Sequence, residues 1–327
     1  MNHIAHKLCG TMASKSFKCS VLIGSYEAEF ENKLKKQLYD EARFVHRHQN
    51  GIIKVTKLCW KPWKVIKKTR FSKLEVEVKT ASGFYDPLED PSTEERYVWF
   101  MNHADTRLFN SYSGDSLGTD DMQVLQMPLL ASIEKFMSEN KEVMEAKTVR
   151  DGLATPFLFE GIPFWISIDY NKLRKDGRII RSMYNQDEKF LRNGFKVYQA
   201  DFKANLISIK APHGGEGEYT EEQIVYIFLG LIVGYSGLVK QTRIKKASRC
   251  ALHTGNWGAG NFGGNLELMY LIQMYAASLC GIDEMIFHAV KNEVFEKARN
   301  AFEKIPEELT FEEAVWYFLR QKYKWAE

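Results

Sequence analysis

The segment Thr254-Gly255-Asn256-Trp257-Gly258-Ala259-Gly260-Asn261-Phe262-Gly263-Gly264 decides how this sequence is interpreted. Its five glycines allow positive φ angles and let the backbone approach another molecule closely. Successive backbone N–H groups in such a loop can form a concave site for an anion. Residues 265–279 are apolar at helical spacing, so the loop is expected to open a helix whose N-terminus adds partial positive charge. The pattern predicts a strand–loop–helix site for a phosphorylated ligand, and a tight structural turn is the alternative.

The order of residues in this loop resembles the diphosphate-binding loop of poly(ADP-ribose) glycohydrolases, which reads T-G-N-W-G-C-G-A-F-G-G-D. The chain departs from that pattern at Ala259, Asn261 and Asn265, and the likeness continues through the following helix to residues 284–287. The resemblance implies a macrodomain-type fold with ADP-ribose as the ligand. The loop residues that it implies for ligand binding are Asn256, Trp257, Gly258, Gly260, Asn261, Phe262, Gly263 and Gly264.

The composition is that of a globular protein of 327 residues, whose formal net charge of +3 is too small to indicate nucleic-acid binding. A basic stretch over residues 57–70, interleaved with Trp60 and Trp63, could contact a polyanion or form a solvated face. The five cysteines lack metal-ligand spacing, which predicts reduced thiols in a cytoplasmic or nuclear protein without a metal or cofactor. Residues 1–20 lack a signal-peptide core, and the longest apolar run, residues 224–235, is shorter than the ~20 residues that span a bilayer.

Strands that alternate with helices predict an α/β fold, a macrodomain-like mixed sheet flanked by helices. Residues 1–80 are expected to form a small N-terminal α+β extension that begins with a loose leader, and residues 81–327 the macrodomain-like part. Two strands are predicted to turn at Glu160-Gly161, and Thr220 with Gln223 predicts a capping box at a helix start. Other strands are predicted over 51–56, 74–78, 97–102, 197–209, 249–253 and 285–288, and helices over 27–47, 120–125, 129–138, 220–233, 291–303 and 310–323.

Acidic residues after a predicted buried strand are the candidates for catalysis. Hydrolysis of a glycosidic bond to ribose passes through an oxocarbenium-like state and requires a carboxyl group near the leaving atom. The candidates are Asp105 at the end of the strand, Asp115 in a polar loop, and the pair Asp120 and Asp121. Each also has a structural interpretation, because Asp115 suits a turn and the pair suits a helix N-terminus.

The catalytic segment of the same family has similar spacing, with D-F-A-N on a strand, a triple-glycine loop and then Q-E-E. Aligned without gaps, Asn102 falls on the family's aspartate, Asp105 on its asparagine, and Asp120 and Asp121 on its glutamates, but the triple glycine is absent. Aspartate is about 1.5 Å shorter than glutamate, and a displacement of ~1 Å at such a site costs on the order of 100-fold in rate. The resemblance implies that Asn102 contacts the ligand, Asp105 orients the terminal ribose, and Asp115, Asp120 or Asp121 assists bond cleavage.

The same stretch is similar to a divergent branch that includes the MavL-like bacterial effectors. The shared features are His103-Ala104-Asp105, then Gly114-Asp115, then Asp120-Asp121. In that branch the acids are aspartates, and the resemblance implies ADP-ribose on an arginine of ubiquitin as the substrate. His103 itself is expected to be a packed strand histidine rather than a general base.

Other positions keep competing interpretations. Residues 213–222 place glycines before paired glutamates, but the capping box favours a turn that leads into a helix. The family stacks an aromatic ring on adenine, which implies Phe159 here, with Phe157 and Trp165 as alternatives. Phe287 aligns with one family phenylalanine, and Ala289 with a second that contacts the ligand.

These features predict an ADP-ribosyl glycohydrolase that acts on ADP-ribosylated protein or on poly(ADP-ribose). A reader module that binds ADP-ribose without catalysis is the main alternative, because the glutamate pair and triple glycine are missing. A glycine-loop nucleotide transferase unrelated to ADP-ribose is a third.

Overall fold

A computed structural model of the chain describes residues 9–61, 66–84, 86–260, 262–288 and 290–326. Trp63 of the basic stretch, the predicted ligand residue Asn261, and Ala289 lie outside the described residues.

The helices and strands alternate along most of the chain, as expected for an α/β fold. The helices are α1 (Cys19–Ser25), α2 (Lys33–Val45), α3 (Thr119–Gln126), α4 (Leu129–Glu139), α5 (Glu188–Arg192), α6 (Glu221–Ile244), α7 (Leu266–Cys280), α8 (Asn292–Glu303) and α9 (Phe311–Arg320). The strands are β1 (Cys9–Lys18), β2 (Ile52–Trp60), β3 (Arg70–Ser72), β4 (Glu77–Ala81), β5 (Arg96–Ala104), β6 (Val149–Arg150), β7 (Leu153–Ala154), β8 (Phe157–Pro163), β9 (Ile166–Ile168), β10 (Arg174–Lys175), β11 (Arg178–Ile179), β12 (Phe195–Val197), β13 (Lys203–Lys210), β14 (Arg249–Thr254), β15 (Glu284–His288) and β16 (Glu308–Thr310).

Eight strands form one mixed sheet in the order β1-β2-β8-β13-β5-β14-β15-β4. The pairs from β13 to β4 are parallel, and those from β1 to β13 are antiparallel. Asn102 of β5 lies opposite Ser208 of β13, and Phe100 lies opposite His253 of β14. The predicted mixed sheet flanked by helices is therefore confirmed.

Helices cover both faces of the sheet and create two apolar cores. Side chains of α6, α7, α8 and α9 pack on one face, and those of α1, α2, α3 and α4 pack on the other. The predicted capping box starts α6, where Thr220 N donates to Gln223 Oε1 at 2.9 Å. Helix α6 is long and apolar enough to cross a membrane by composition, with a mean hydropathy of 1.6, but 78% of its most apolar stretch is buried inside the fold. Its apolar composition is therefore explained by its burial as a core helix.

Residues 9–18 are a strand and not the predicted loose leader. Strand β1 pairs along its length with β2, and its polar sequence reflects an edge strand with one exposed face. Because β1 and β2 form one end of the main sheet and β4 forms the other, residues before 81 share the sheet and core with the rest of the chain. The expected division near residue 80 does not correspond to a separate sheet.

The predicted turn at Glu160-Gly161 is wrong, because both residues lie inside the continuous strand β8. Gly161 has a φ of 73°, and its N–H donates to Asn205 Oδ1 at 3.0 Å. The register between β8 and β13 shifts between Ala204 and Leu206. The positive φ of Gly161 therefore belongs to a β-bulge, and the chain continues along β8 without reversing its direction. The single strand predicted over 197–209 is divided into β12 and β13.

Candidate active site

The carboxyl ends of the parallel strands β13, β5, β14 and β15 meet at one edge of the sheet. This is the edge at which α/β folds place their ligands, in the crevice outside the strand ends. A cleft of about 300 Å³ opens there between the acidic loop, residues 105–118, and the glycine loop, residues 255–264. The cleft is lined by Phe84, His103, Asp105, Asn110, Ser111, Ser116, Gly118, Thr119, Asp120, Asp121, Arg181, Gly255, Asn256, Gly258, Gly260, Phe262 and His288.

Backbone hydrogen bonds within the glycine loop engage some of its N–H groups, and the other N–H groups can donate to a ligand. The Gly264 N–H donates to Gly258 O at 2.9 Å, and the Gly263 N–H donates to Gly260 O at 3.1 Å. Among the described residues, the amides of Gly258, Gly260 and Phe262 donate to no protein acceptor, and all three residues line the cleft. Free amides on one concave wall are the arrangement that binds a phosphate.

Left-handed backbone geometry explains why glycine is needed at Gly258. Its φ is 76°, and an added Cβ would lie 2.7 Å from Cγ of Pro212. A Cβ on Gly264 would lie 2.5 Å from the carbonyl oxygen of Gly258. Both positions therefore exclude a larger side chain, and the loop can adopt this curvature only with glycine.

Side chains beneath the glycine loop attach it to the core. The ring of Trp257 is fully buried, and its Nε1 donates to Ile209 O at 3.2 Å. Gln273 of α7 donates to Gly255 O at 3.3 Å, and the Tyr270 hydroxyl donates to Asn256 Oδ1 at 2.5 Å. Trp257 therefore supports the loop from below, and this residue, which was predicted to bind the ligand, does not line the cleft.

Residues near the C-terminal end of the chain hold the other side of the glycine loop. Ala326 N donates to Gly263 O at 2.8 Å, and Asn265 Nδ2 donates to Lys324 O at 3.1 Å. Between them, the buried Trp325 stacks on Tyr219 with ring centroids 4.4 Å apart. The Tyr219 hydroxyl accepts the Asn265 N–H at 2.7 Å, so this layer fixes the start of α7.

Replacing Trp325 with alanine is expected to destabilise the protein by about 3–5 kcal/mol and to weaken ADP-ribose binding about 10-fold. The reason is that the cavity removes the support under Gly263 and Tyr219. Urea unfolding and calorimetric titration measure the two effects. The matched variant Trp325→Phe keeps the stacking ring and should retain most of the affinity; equal losses in both variants would contradict this account.

On the acidic side, Asn102 lies behind the carboxyl groups and not on the cleft surface. It is fully buried in β5, and its Nδ2 donates to Asp120 Oδ1 and, at 2.8 Å, to Gln123 Oε1. Its Oδ1 accepts the Ser208 hydroxyl. The predicted role of Asn102 in ligand binding is therefore replaced by a role in orienting Asp120.

The environments of Asp120 and Asp105 drive their pKa values apart. Burial raises the pKa of Asp120 to about 7, helped by the charges of Asp121 and Asp105 and opposed by the hydrogen bond from Asn102. Burial also favours a higher pKa for Asp105, but the Thr106 N–H at 2.6 Å and the Lys210 ammonium at 3.5 Å lower it overall. Near neutral pH, Asp120 can carry a proton while Asp105 is ionised, which separates an acid from a carboxylate.

Asp121 and Asp115 both have structural hydrogen bonds. Asp121 Oδ2 accepts the Gly118 N–H at 3.2 Å, which caps α3, and also the Ser116 hydroxyl. Within the described part of the chain, its other oxygen is buried without a hydrogen-bond partner. Asp115 accepts Asn32 Nδ2 at 2.6 Å and does not line the cleft, so the structure does not place Asp115 with the other three aspartates.

Two histidines line the cleft in addition to the acids. Burial lowers the pKa of His103 to about 4, and burial together with the charge of His253 lowers the pKa of His288 to about 4, so both are neutral near pH 7. Among the described residues, His103 Nε2 has no hydrogen-bond partner. His288 Nε2 lies 2.8 Å from His253 Nδ1, and His253 Nε2 lies 2.7 Å from Asp90 Oδ2.

The Phe159 platform prediction is wrong. Its side chain is fully buried in β8, with its ring centroid 5.5 Å from that of Phe109. The aromatic ring that lines the cleft is Phe84, which stacks on Tyr170 at 4.9 Å and has the Arg181 guanidinium 5.5 Å from its ring centroid. A large aromatic residue in the polar segment Ser82-Gly83-Phe84 was the signal in the sequence.

A model of the family described as poly(ADP-ribose) glycohydrolase, with a macro domain fold, matches residues 199–297. Those residues run from β13 through the glycine loop into α8. This part of the chain, which is less than half of it, is similar to the poly(ADP-ribose) glycohydrolase family. The predicted resemblance to that superfamily is confirmed.

Solved structures of this superfamily align with most of the chain at low identity. The poly(ADP-ribose) glycohydrolase of Thermomonospora curvata is 11% identical, with 93% of this chain and 88% of that chain covered and a TM-score of 0.41. The enzyme of Deinococcus radiodurans in complex with ADP-ribose is 11% identical, with 89% and 94% covered and a TM-score of 0.38. The Oceanobacillus iheyensis macrodomain with MES bound is 12% identical, with 73% and 100% covered and a TM-score of 0.38. No curated protein matches the sequence.

The poly(ADP-ribose) glycohydrolase-like pattern locates the cleft, although several of its residues act indirectly. Gly263 and Gly264 use their amides to close the glycine loop and do not line the cleft. The competing acidic segment, residues 213–222, contributes no residue to the cleft lining. The predicted residues that the structure brings together around the cleft are Asp105, Asp120, Asp121, Asn256, Gly258, Gly260 and Phe262.

Proposed function

We propose that the protein is an ADP-ribosyl glycohydrolase. The proposal is supported by a single cleft that has free amides of the glycine loop on one wall and two carboxyl groups on the other. The pKa of Asp120 is raised and the pKa of Asp105 is lowered. Amides bind a diphosphate, and a protonated carboxyl beside an ionised one suits cleavage of a bond to ribose.

The order of strands also fits the order of groups in ADP-ribose. Along the sheet edge, β5 leads to Asp105, β14 to the glycine loop, β15 to His288, and β4 to Phe84. We assign the terminal ribose to the acidic residues, the diphosphate to the glycine loop, and the adenine to Phe84 and His288. The ligand then lies across the carboxyl ends of four adjacent strands.

The reaction uses side chains of this chain at each step. The protonated Asp120 donates its proton to the atom that leaves the anomeric carbon of the ribose, and the bond between them breaks. The ionised Asp105, held by Lys210, accepts hydrogen bonds from the ribose hydroxyls and stabilises the positive charge that develops on the ring. Water then forms a bond to the anomeric carbon and gives a proton to Asp120, which restores the acid. The products are ADP-ribose and the free acceptor.

For the acceptor, we propose ADP-ribose on an arginine side chain, with ubiquitin as the protein that the resemblance to the MavL-like branch implies. A substituted guanidinium is positively charged, and the ionised carboxyl group of Asp105, which lines the cleft beside Asp120, provides a complementary charge. Incubation with arginine-ADP-ribosylated ubiquitin, with acidic-residue-linked ADP-ribose and with poly(ADP-ribose) distinguishes the linkages. Release of ADP-ribose only from an acid-linked or ribose-linked substrate would contradict the arginine assignment.

A reader that binds ADP-ribose without hydrolysis is the second candidate function. The presence of aspartates where the family has glutamates favours it, because the shorter side chain alters the distance to the ribose. Both candidates predict ADP-ribose binding, and only the hydrolase predicts release of ADP-ribose from a modified protein. The absence of product from all three linkages, with ADP-ribose still bound, would establish the reader.

Replacing Phe84 with alanine is expected to weaken ADP-ribose binding about 10-fold, because stacking of a base on an aromatic ring contributes ~1–3 kcal/mol. The affinity for ribose-5-phosphate, which lacks the base, should not change. Calorimetric titration with both ligands measures the difference. The matched control Phe44→Ala removes an exposed aromatic ring from α2, and both affinities should stay unchanged. A Phe84 variant with full ADP-ribose affinity would show that the adenine lies elsewhere.

A further inference from the structure

Lys35 of α2 is a fully buried lysine whose ammonium group contacts the acidic loop. Its Nζ donates to Tyr112 O at 2.8 Å and to Ser116 O at 2.7 Å. Lysine is almost never fully buried unless its charge is paired or hydrogen-bonded. The backbone of the acidic loop therefore provides the partners that make this burial possible.

Asn32, the N-cap of α2, holds the same loop at its centre. Its Oδ1 accepts the Lys35 N–H at 2.9 Å and caps the helix, while its Nδ2 donates to Asp115 Oδ1 at 2.6 Å. The backbone N–H groups of Glu31 and Asn32 both donate to Ser113 O, at 3.0 and 2.9 Å. The start of α2 thus binds the acidic loop over residues 112–116.

The held loop leads directly to the cleft carboxyl groups. Ser116, whose carbonyl accepts from Lys35, donates its hydroxyl to Asp121. Asp121 also accepts the Gly118 N–H, which fixes the first turn of α3 and with it Asp120. A path of hydrogen bonds therefore connects Lys35 to the turn that carries the proposed acid.

Electrostatics reinforces this geometry. Burial lowers the pKa of Lys35 to about 8, while the negative charges of Asp121 and Asp115 oppose that shift. The ammonium therefore lies near one acidic side chain of the acidic loop, Asp115, and one of the first turn of α3, Asp121. Loss of this charge would leave the carbonyls of Tyr112 and Ser116 without their donor and the acidic loop without its cation.

We propose that Asn32 and Lys35 form a positioning clamp, which fixes the acidic loop so that the carboxyl group of Asp120 reaches the scissile bond. The clamp touches neither substrate nor reacting atoms. It makes the first helical segment of the chain part of the machinery for hydrolysis, on the far side of the cleft from the glycine loop. This inference rests on the proposed hydrolase function.

The test compares Lys35→Met and Asn32→Asp with the control Lys36→Met. Lys35→Met removes the ammonium, whereas Asn32→Asp keeps a good N-cap, removes the donation to Asp115 and places a second acidic side chain beside it. Lys36 lies next to Lys35 on α2, but its side chain is exposed and forms an ion pair with Asp40 at 3.0 Å. Because a displacement of ~1 Å can cost on the order of 100-fold in rate, kcat is expected to fall 10- to 100-fold in both clamp variants. The Kd for ADP-ribose should stay within about twofold, because the glycine loop does not contact the clamp.

Hydrolysis of ADP-ribosylated protein, ADP-ribose titration and thermal unfolding are measured for wild type and the three variants. A fall in kcat at unchanged Kd, in Lys35→Met and Asn32→Asp but not in Lys36→Met, supports the clamp. Wild-type kcat in both clamp variants overturns it, as does a joint loss of kcat, affinity and cooperative unfolding in both. A wild-type protein that binds ADP-ribose but hydrolyses nothing refutes the proposed function, and the clamp inference with it.

Discussion

Replacing Asp120 with asparagine is expected to lower kcat for ADP-ribose release by about 10³-fold and to leave the Kd for ADP-ribose nearly unchanged. The amide has no proton of suitable acidity to give to the leaving atom, yet its oxygen can still accept the hydrogen bond from Asn102. Single-turnover hydrolysis and calorimetric titration measure the two quantities. The exposed residue Asp40 offers the matched control Asp40→Asn, which should behave as wild type.

The pH dependence of the wild-type enzyme should reveal the same group. Burial raises the pKa of Asp120 to about 7, and the proposed mechanism requires its protonated form. The kcat should therefore fall as the pH rises through about 7, and this limb of the profile should be absent from the residual activity of Asp120→Asn. A wild-type kcat that is flat between pH 6 and 9 would contradict the assignment of Asp120 as the acid.

Stability gives an independent check that Asp120→Asn remains folded. Because the folded-state pKa of Asp120 is raised, its contribution to stability is full below the ordinary carboxyl pKa and is lost as the pH rises through about 7. Asparagine removes this dependence, so the variant should be at least as stable as wild type at pH 8. Urea unfolding at pH 5 and at pH 8 measures it. A large loss of stability at pH 8 would mean that lost activity reflects misfolding.

Replacing Gly258 with alanine is expected to weaken ADP-ribose binding by at least about 100-fold. The added Cβ requires a left-handed backbone and would lie 2.7 Å from Pro212 Cγ, so the loop must move. Movement displaces the amides of Gly258 and Gly260 from the phosphates, and hydrogen bonds to a charged group contribute about 1.5–3 kcal/mol each. Calorimetric titration measures the loss.

The control for backbone strain is Gly152→Ala. Gly152 has nearly the same φ, 75°, but an added Cβ would meet nothing within 4 Å, and the residue does not line the cleft. It should cost about 1–2 kcal/mol of stability and no affinity. Wild-type affinity in Gly258→Ala would show that the glycine loop does not bind the diphosphate.

The sequence was sufficient to predict the parts of the site that depend on local chemistry. The glycine loop required left-handed backbone at particular positions, and Gly258 and Gly263 adopt it. Thr220 and Gln223 specified a helix start through reciprocal hydrogen bonds between near neighbours. Because these features depend on residues a few positions apart, a single sequence contains the information that defines them.

Contacts between distant segments could not be predicted from the same patterns. Phe84 and Arg181 meet at the cleft although almost a hundred positions separate them, and Lys35 is buried only because residues 112–116 fold over it. The family resemblance implies Phe159 as an adenine platform, because an aromatic side chain suits both a core and a binding surface, and it implies Trp257 as a ligand contact through its place in the glycine loop. The structure places both in the core, where sheet order and face decide the outcome.

The most direct test of the central claim is a crystal structure of Asp120→Asn with ADP-ribose bound. The account predicts diphosphate oxygens about 3 Å from the amides of Gly258, Gly260 and Phe262. It also predicts the anomeric carbon of the terminal ribose beside residue 120. A diphosphate bound elsewhere, or a terminal ribose that points away from Asp105 and residue 120, would contradict it.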